Sequence, residues 1–183
     1  MRGTDMSMEL KKLEDKIRLL TTEGMGGKRD LLPVYADSEA LDTLVKYLAD
    51  PFRGKIDCVC APEPLGFIIG SMLARELGVG LVVIRRNQQF LIDPAEQVSA
   101  SYINHRDKVT TLITERELLP PGSRVLLADD WVSTAATISA CTNMIEDAGC
   151  KVAGIAAIGA DYESAAKGLI DSGSIVCAYC ENK

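Results

Sequence analysis

Apolar positions recur every three or four residues at Leu10, Leu13, Ile17 and Leu20, a spacing that predicts a helix with one apolar face over residues 8–21. A second stripe, Leu41, Leu44, Val45 and Leu48, predicts another helix that opens at Ser38, carries Glu39 in its first turn and stops at Pro51. Between them, Glu23-Gly24-Met25-Gly26-Gly27 and Lys28-Arg29-Asp30 read as loop, and Leu31-Leu32-Pro33-Val34-Tyr35 as extended chain. From residue 56 the pattern changes. Short apolar runs at 56–61 and 80–85 flank a helical stretch at 66–77 closed by Gly78, which predicts a βαβ unit with parallel strands and a right-handed crossover. Residues 86–95 are polar and irregular; 98–103 and 109–114 have strand propensity around Asn104-His105-Arg106-Asp107-Lys108 and predict a mobile antiparallel ribbon or long lid. Pro120-Pro121-Gly122 then turns the chain into a buried strand, a helix over 134–148, a strand over 152–160, a helix over 163–170 and a last strand over 175–180. Such alternation predicts an α/β fold, an open and mostly parallel sheet with helices on both faces.

The most informative stretch is Val125-Leu126-Leu127-Ala128-Asp129-Asp130-Trp131-Val132-Ser133-Thr134-Ala135-Ala136-Thr137. Four apolar residues read as a buried parallel strand, two acids stand at its carboxyl end, and a hydroxyl-rich turn feeds a helix N-terminus. In an open α/β sheet that is where ligands bind. The unpaired N–H groups of a helix start, with hydroxyls of Ser133, Thr134 and Thr137, suit a phosphate. Asp129 and Asp130 would repel a bare phosphate, and fit better as acceptors for sugar hydroxyls or partners of a divalent cation. Singly, each of these residues is an ordinary helix cap; the ordered arrangement is what points to a sugar-phosphate site.

The first βα turn, Ala61-Pro62-Glu63-Pro64-Leu65-Gly66-Phe67, opens on the same edge of the sheet, so both connections can face one ligand. Two prolines stiffen it and Gly66 permits close backbone approach. Arg85 and Arg86, ending the next strand, bring cationic donors towards a second anionic group.

With 183 residues the chain has the length of one domain, and a net charge of −6 gives no footprint for nucleic acid or an anionic membrane. The charged, amphipathic start and the lack of eighteen consecutive apolar residues lead to the expectation of a soluble, cytoplasmic protein. Six cysteines lie mostly in apolar segments, as buried thiols do. Cys177-Ala178-Tyr179-Cys180 has redox-motif spacing, yet Ile175 and Val176 before it read as strand rather than helix start, and no second pair has zinc spacing. The only histidine, His105, reads as a solvated loop residue.

Taken together, the strand, acidic pair and hydroxyl-rich loop of Val125 to Thr137 resemble the phosphoribosyl pyrophosphate signature of type I phosphoribosyltransferases. Lys28-Arg29-Asp30-Leu31-Leu32-Pro33-Val34 resembles the hood segment, and residues 56–86 the pyrophosphate-loop unit, of the adenine-specific branch. The resemblance implies one domain over residues 1–183: a helix and small hood at 1–36, a core at 37–183 and a lid near 87–110. It implies transfer of ribose 5-phosphate to a purine-like base with release of pyrophosphate. Asp129 and Asp130 would hold the ribose hydroxyls, directly or through Mg2+; Val132, Ser133, Thr134, Ala135, Ala136 and Thr137 the 5′-phosphate; Pro62, Glu63, Pro64, Arg85 and Arg86 the pyrophosphate. Gly27, Lys28 and Arg29 would read the base edge and Trp131 supply an aromatic wall. A homodimer is implied as well. The chain departs from the pattern at Ala135 and Ala136, where glycines are usual, and at Leu65, where an arginine grips pyrophosphate. It departs also at Lys28, in place of an aromatic, and in the lid, with His105, Arg106 and Asp107 in place of a glutamate-tyrosine pair. These departures leave a non-catalytic nucleotide or phosphoribosyl pyrophosphate sensor as the alternative.

Overall fold

The computed structural model describes residues 3–23, 29–86, 93–104, 108–162 and 164–181. Helix α1 (Gly3–Leu20) is followed by a minimal antiparallel ribbon, β1 (Thr22–Glu23) with β2 (Arg29–Asp30), where the sequence suggested only loop. Leu31 to Tyr35, expected to be extended, instead contributes a short helix, α2 (Leu32–Ala36). Pro33 sits in its first turn, where a fixed φ and a missing N–H cost nothing, and Asp30 Oδ1 accepts the Leu32 N–H at 3.0 Å. Helix α3 (Ser38–Ala49) is capped by Asp37, whose Oδ1 accepts the Ala40 N–H at 2.9 Å. Lys16 Nζ reaches Asp37 (3.1 Å) and Glu39 (2.8 Å), tying α1 to α3.

The alternating part of the chain follows: β3 (Cys58–Pro62), α4 (Gly66–Leu77), β4 (Gly80–Arg86), β5 (Gln97–Ile103), β6 (Val109–Glu115), β7 (Arg124–Val132), α5 (Ala136–Asp147), β8 (Lys151–Asp161), α6 (Ala166–Asp171) and β9 (Ile175–Glu181). Seven strands form one sheet in the order β5-β6-β4-β3-β7-β8-β9. Pairing is parallel from β4 to β9; β6 joins β4 antiparallel through Arg85↔Ile113 and Arg86↔Leu112, and β5 pairs antiparallel with β6.

Side chains alternate across β7, so each face of the sheet feeds its own core. Val125 and Leu127 pack with Ile138, Cys141, Met144 and Ile145 of α5. Leu126 and Ala128 pack with Ile69 and Leu73 of α4 and with Leu44 and Leu48 of α3. Chain order reverses at β3: α4 carries the chain to β4 on one side, whereas β7 lies on the other. A crevice therefore opens beyond the carboxyl ends of β3 and β7, at the switch point.

The ribbon expected as a lid is rooted in the sheet. Val98 and Leu112 are buried, and Thr114 Oγ1 donates to the Val83 carbonyl at 2.9 Å. Its tip residues His105, Arg106 and Asp107 lie outside the described residues, as do 87–92. Among the described residues no helix is long and apolar enough to cross a membrane.

Candidate active site at the switch point

Asp129 and Asp130 stand at the carboxyl end of β7. Asp129 continues the face of Val125 and Leu127 and is 8% exposed; its Oδ1 accepts the Asp130 N–H at 2.9 Å. Burial, followed by the Asp130 charge, holds its carboxyl well above the usual carboxylate range, with Arg86 pulling the other way. Asp130 is half-exposed at the mouth.

The first turn of α4 lies against Asp129. A methyl group at Gly66 would stand 3.1 Å from Asp129 Oδ1, 3.2 Å from the Ala128 carbonyl and 3.0 Å from Pro62 Cδ. Among the described residues no side chain caps α4, whose N-cap residue is Leu65; the Ile68 N–H turns back to the Leu65 carbonyl at 3.0 Å, which leaves the N–H groups of Gly66 and Phe67 without a side-chain cap. The turn before it is fixed by Glu63: its N–H donates to the Ile84 carbonyl at 2.8 Å and its Oε2 accepts the Arg86 N–H at 3.0 Å. Pro62 is buried, Pro64 exposed, and the Glu63–Pro64 peptide is cis.

The two arginines separate. Arg86 follows Val82 and Ile84 onto the α5 face that Asp129 shares, and its buried Nε has no hydrogen-bond partner among the described residues. Arg85 is exposed and belongs to the opposite face. Of the doublet, Arg86 is therefore the member that shares the face of Asp129.

Beyond β7 the chain bends through Ser133 and Thr134 into Ala135, which adopts the left-handed conformation (φ 58°, ψ 4°). The expected helix over 134–148 therefore begins at Ala136, and α5, like α4, has no side-chain cap. Ala136 N–H has only a long contact, 3.5 Å, to Thr134 Oγ1. Both helix starts thus offer unpaired donors at one crevice.

Three contributors were missed by sequence reasoning. Ser164 Oγ lies 2.5 Å from the Ser133 carbonyl and 2.7 Å from that of Asp161, bracing the loop from β8. Asp161 Oδ1 accepts the Trp131 indole N–H at 2.8 Å. Tyr35 belongs to the core that includes Trp131; its hydroxyl is buried without a partner among the described residues, and burial, then the Asp130 and Asp129 charges, push its ionisation up. Trp131 lies against Gly159, its ring centroid 6.1 Å from that of Tyr179. Of the remaining expected base contacts, Gly27 and Lys28 lie outside the described residues, and Arg29 is described only as backbone of β2.

A family model for the phosphoribosyl transferase domain matches residues 38–177. An adenine phosphoribosyltransferase of Clostridium perfringens is 36% identical over 148 residues, 79% of this chain and 83% of the relative. The chain belongs to the phosphoribosyl transferase domain family. Solved phosphoribosyltransferase structures share its fold. An adenine phosphoribosyltransferase from Thermoanaerobacter pseudethanolicus superposes with a TM-score of 0.80 at 27% identity, covering 91% of this chain and 98% of the other. One from Giardia lamblia, complexed with 9-deazaadenine, gives 0.76 at 26% identity over 89% and 93%. In phosphoribosyltransferase terms, the acid pair and the two uncapped helix starts form the mouth of this chain's crevice.

Among the described residues no three His, Cys, Asp or Glu side chains cluster as a metal cage. Asp129 and Asp130 nevertheless fit a magnesium ion carried by a substrate, because such an ion keeps waters and needs only one or two protein carboxylates besides substrate oxygens.

Proposed function

We propose that the protein is an adenine-type phosphoribosyltransferase: it transfers ribose 5-phosphate from phosphoribosyl pyrophosphate to a purine-like base and releases pyrophosphate. The observation that carries this is the contact of Gly66 with Asp129, which puts two uncapped helix starts and an acid pair around one crevice. A ligand with a phosphate at each end and hydroxyls between them matches that order of donors and acceptors.

In this reading the N–H groups of Ala135, Ala136 and Thr137, with the Ser133 and Thr134 hydroxyls and the Val132 backbone, hold the 5′-phosphate. Asp130 and Asp129 take the ribose hydroxyls. Burial, followed by the Asp130 charge, raises the Asp129 carboxyl, and the cationic charge a ligand's Mg2+ brings would favour its carboxylate form. The turn Pro62, Glu63 and Pro64 and the start of α4 receive pyrophosphate, with Arg85 and Arg86 balancing its charge. Contacts to the base are assigned to Gly27, Lys28 and Arg29 on the resemblance alone, with Trp131 as an aromatic wall. The bond from C1′ to pyrophosphate oxygen breaks as a ring nitrogen bonds to C1′, through an oxocarbenium-like state. Fixing the sugar by both ends contributes through positioning. Bound Mg2+, held by Asp129 and Asp130 directly or through water, would supply further neutralisation of the leaving group.

The resemblance also supports a homodimer in the cytoplasm, and sedimentation of the purified protein tests the first. One observation favours a second reading. Leu65, half-buried as the N-cap residue of α4, provides no cation for pyrophosphate, as in a protein that senses phosphoribosyl pyrophosphate without turning it over. Incubation with phosphoribosyl pyrophosphate, Mg2+ and adenine, hypoxanthine or guanine separates the two: the enzyme yields AMP from adenine, and no nucleotide from any base removes the enzymatic reading.

A further inference from the structure

Outside the crevice, two cysteines of the edge strand β9 meet. Cys177 and Cys180 sulfurs are 2.8 Å apart. Residues three apart in a regular strand point to opposite faces. Here the alternation breaks, since Ala178 and Tyr179, adjacent in sequence, both pack into the core beneath α1 and α3, which brings Cys180 round to the side of Cys177. Both are half-buried at the margin of the sheet, whereas Cys58, Cys60, Cys141 and Cys150 are buried. Of the six, these are the two that are partly exposed.

We propose that Cys177 and Cys180 form a reversible intramolecular disulfide, a thiol-oxidation site for small-molecule disulfides of the glutathione class. A thiolate of the pair attacks oxidised glutathione; one sulfur–sulfur bond forms to the protein as the glutathione disulfide breaks and one glutathione leaves. The second cysteine, deprotonated, attacks the protein sulfur of this mixed disulfide and expels the other glutathione. Two protein thiols lose two protons and two electrons, and one glutathione disulfide becomes two glutathione thiols. In a reducing compartment the pair stands as dithiol, and it closes under oxidative load.

Trypsin places the six cysteines in three peptides of two each, residues 56–75, 125–151 and 168–183. Full-length folded protein is equilibrated in glutathione redox buffers, alkylated, digested and weighed. Peptide 168–183 is expected to be two hydrogens lighter, without a glutathione adduct and restored by dithiothreitol, while the other two peptides carry two alkyl groups each. Cys177→Ser is expected to leave a single glutathione on Cys180. Because the folded chain brings the sulfurs together, closure is expected at a more reducing poise in native protein than in urea, and the oxidised protein melts at a higher temperature by linkage. Peptide 168–183 remaining reduced while another pair oxidises, carrying two glutathiones, closing equally readily in urea, or closing with a lowered melting temperature would each overturn the proposal.

Discussion

Gly66 and Asp129 meet across the switch point, so close that a side chain on the glycine would press on the carboxylate oxygen 3.1 Å away. The contact fixes how near the start of α4 stands to the end of β7, and thus the span between the two helix starts that face the crevice. Gly66→Ala would crowd Pro62 and the Ala128 carbonyl as well. It is expected to cost about 1–3 kcal/mol of stability, as overpacking does, and to lower kcat/KM for phosphoribosyl pyrophosphate at least tenfold. Urea denaturation beside steady-state kinetics checks both. Full activity with an Ala at this position would show that the close approach is not needed.

Ala135 carries positive φ where glycine would be relaxed. Left-handed backbone costs a residue with a Cβ about 1–2 kcal/mol, partly offset by the looser unfolded chain that glycine gives. Ala135→Gly is therefore expected to stabilise the protein by about 0.5–1 kcal/mol in urea, and Ala135→Val to destabilise it strongly. A less stable glycine variant would show that the loop is not strained there.

Much of this architecture was legible in the sequence, for physical reasons that differ by element. The buried strand at 125–128 announced itself as an unbroken apolar run, and the acid pair pointed to a site through its order with the hydroxyl-rich turn, since singly each acid reads as a helix cap. The helix faces of α1 and α3 follow from spacing alone, Leu13 and Ile17 from the first and Leu44 and Leu48 from the second being buried. Contacts between distant segments were not legible: nothing near Ser164 signals that its hydroxyl reaches Ser133, and nothing near Tyr35 signals that its phenol approaches two carboxylates. Residues 31–35 were misread because a proline suits the first turn of a helix as well as extended chain. The Arg85-Arg86 doublet reads as one charge patch, yet strand alternation sends its members to opposite faces.

Asp129 gives the stability a pH dependence of defined sign. Its folded carboxyl is raised by burial, so its contribution is fully present below the ordinary carboxylate pKa of about 4 and is lost as pH rises through the raised value. Asp129→Asn, which cannot ionise, is expected to melt above the parent protein near neutral pH, with the gap closing towards about pH 4. Thermal melts across that range test it. A variant equally or less stable at neutral pH would show that Asp129 is compensated in the folded protein.

Ser164 braces the Ser133 carbonyl, so under the proposed reading it acts on the turn that holds the 5′-phosphate and not on the ligand itself. Losing its hydroxyl loosens the Ser133 backbone at a cost of about 1 kcal/mol. Ser164→Ala is expected to raise KM for phosphoribosyl pyrophosphate about three- to tenfold while kcat changes little. A fall in kcat with unchanged KM would place Ser164 in a different role.

The most direct test of the account is base-dependent pyrophosphate release by the purified protein and by Asp130→Asn, with circular dichroism to establish that both are folded. The account predicts release that requires adenine and Mg2+ in the parent protein and falls at least a hundredfold in the variant. Undiminished turnover in Asp130→Asn would contradict the role given to the acid pair. Tight calorimetric binding of phosphoribosyl pyrophosphate by the parent protein, without release for any purine, would contradict the transfer itself.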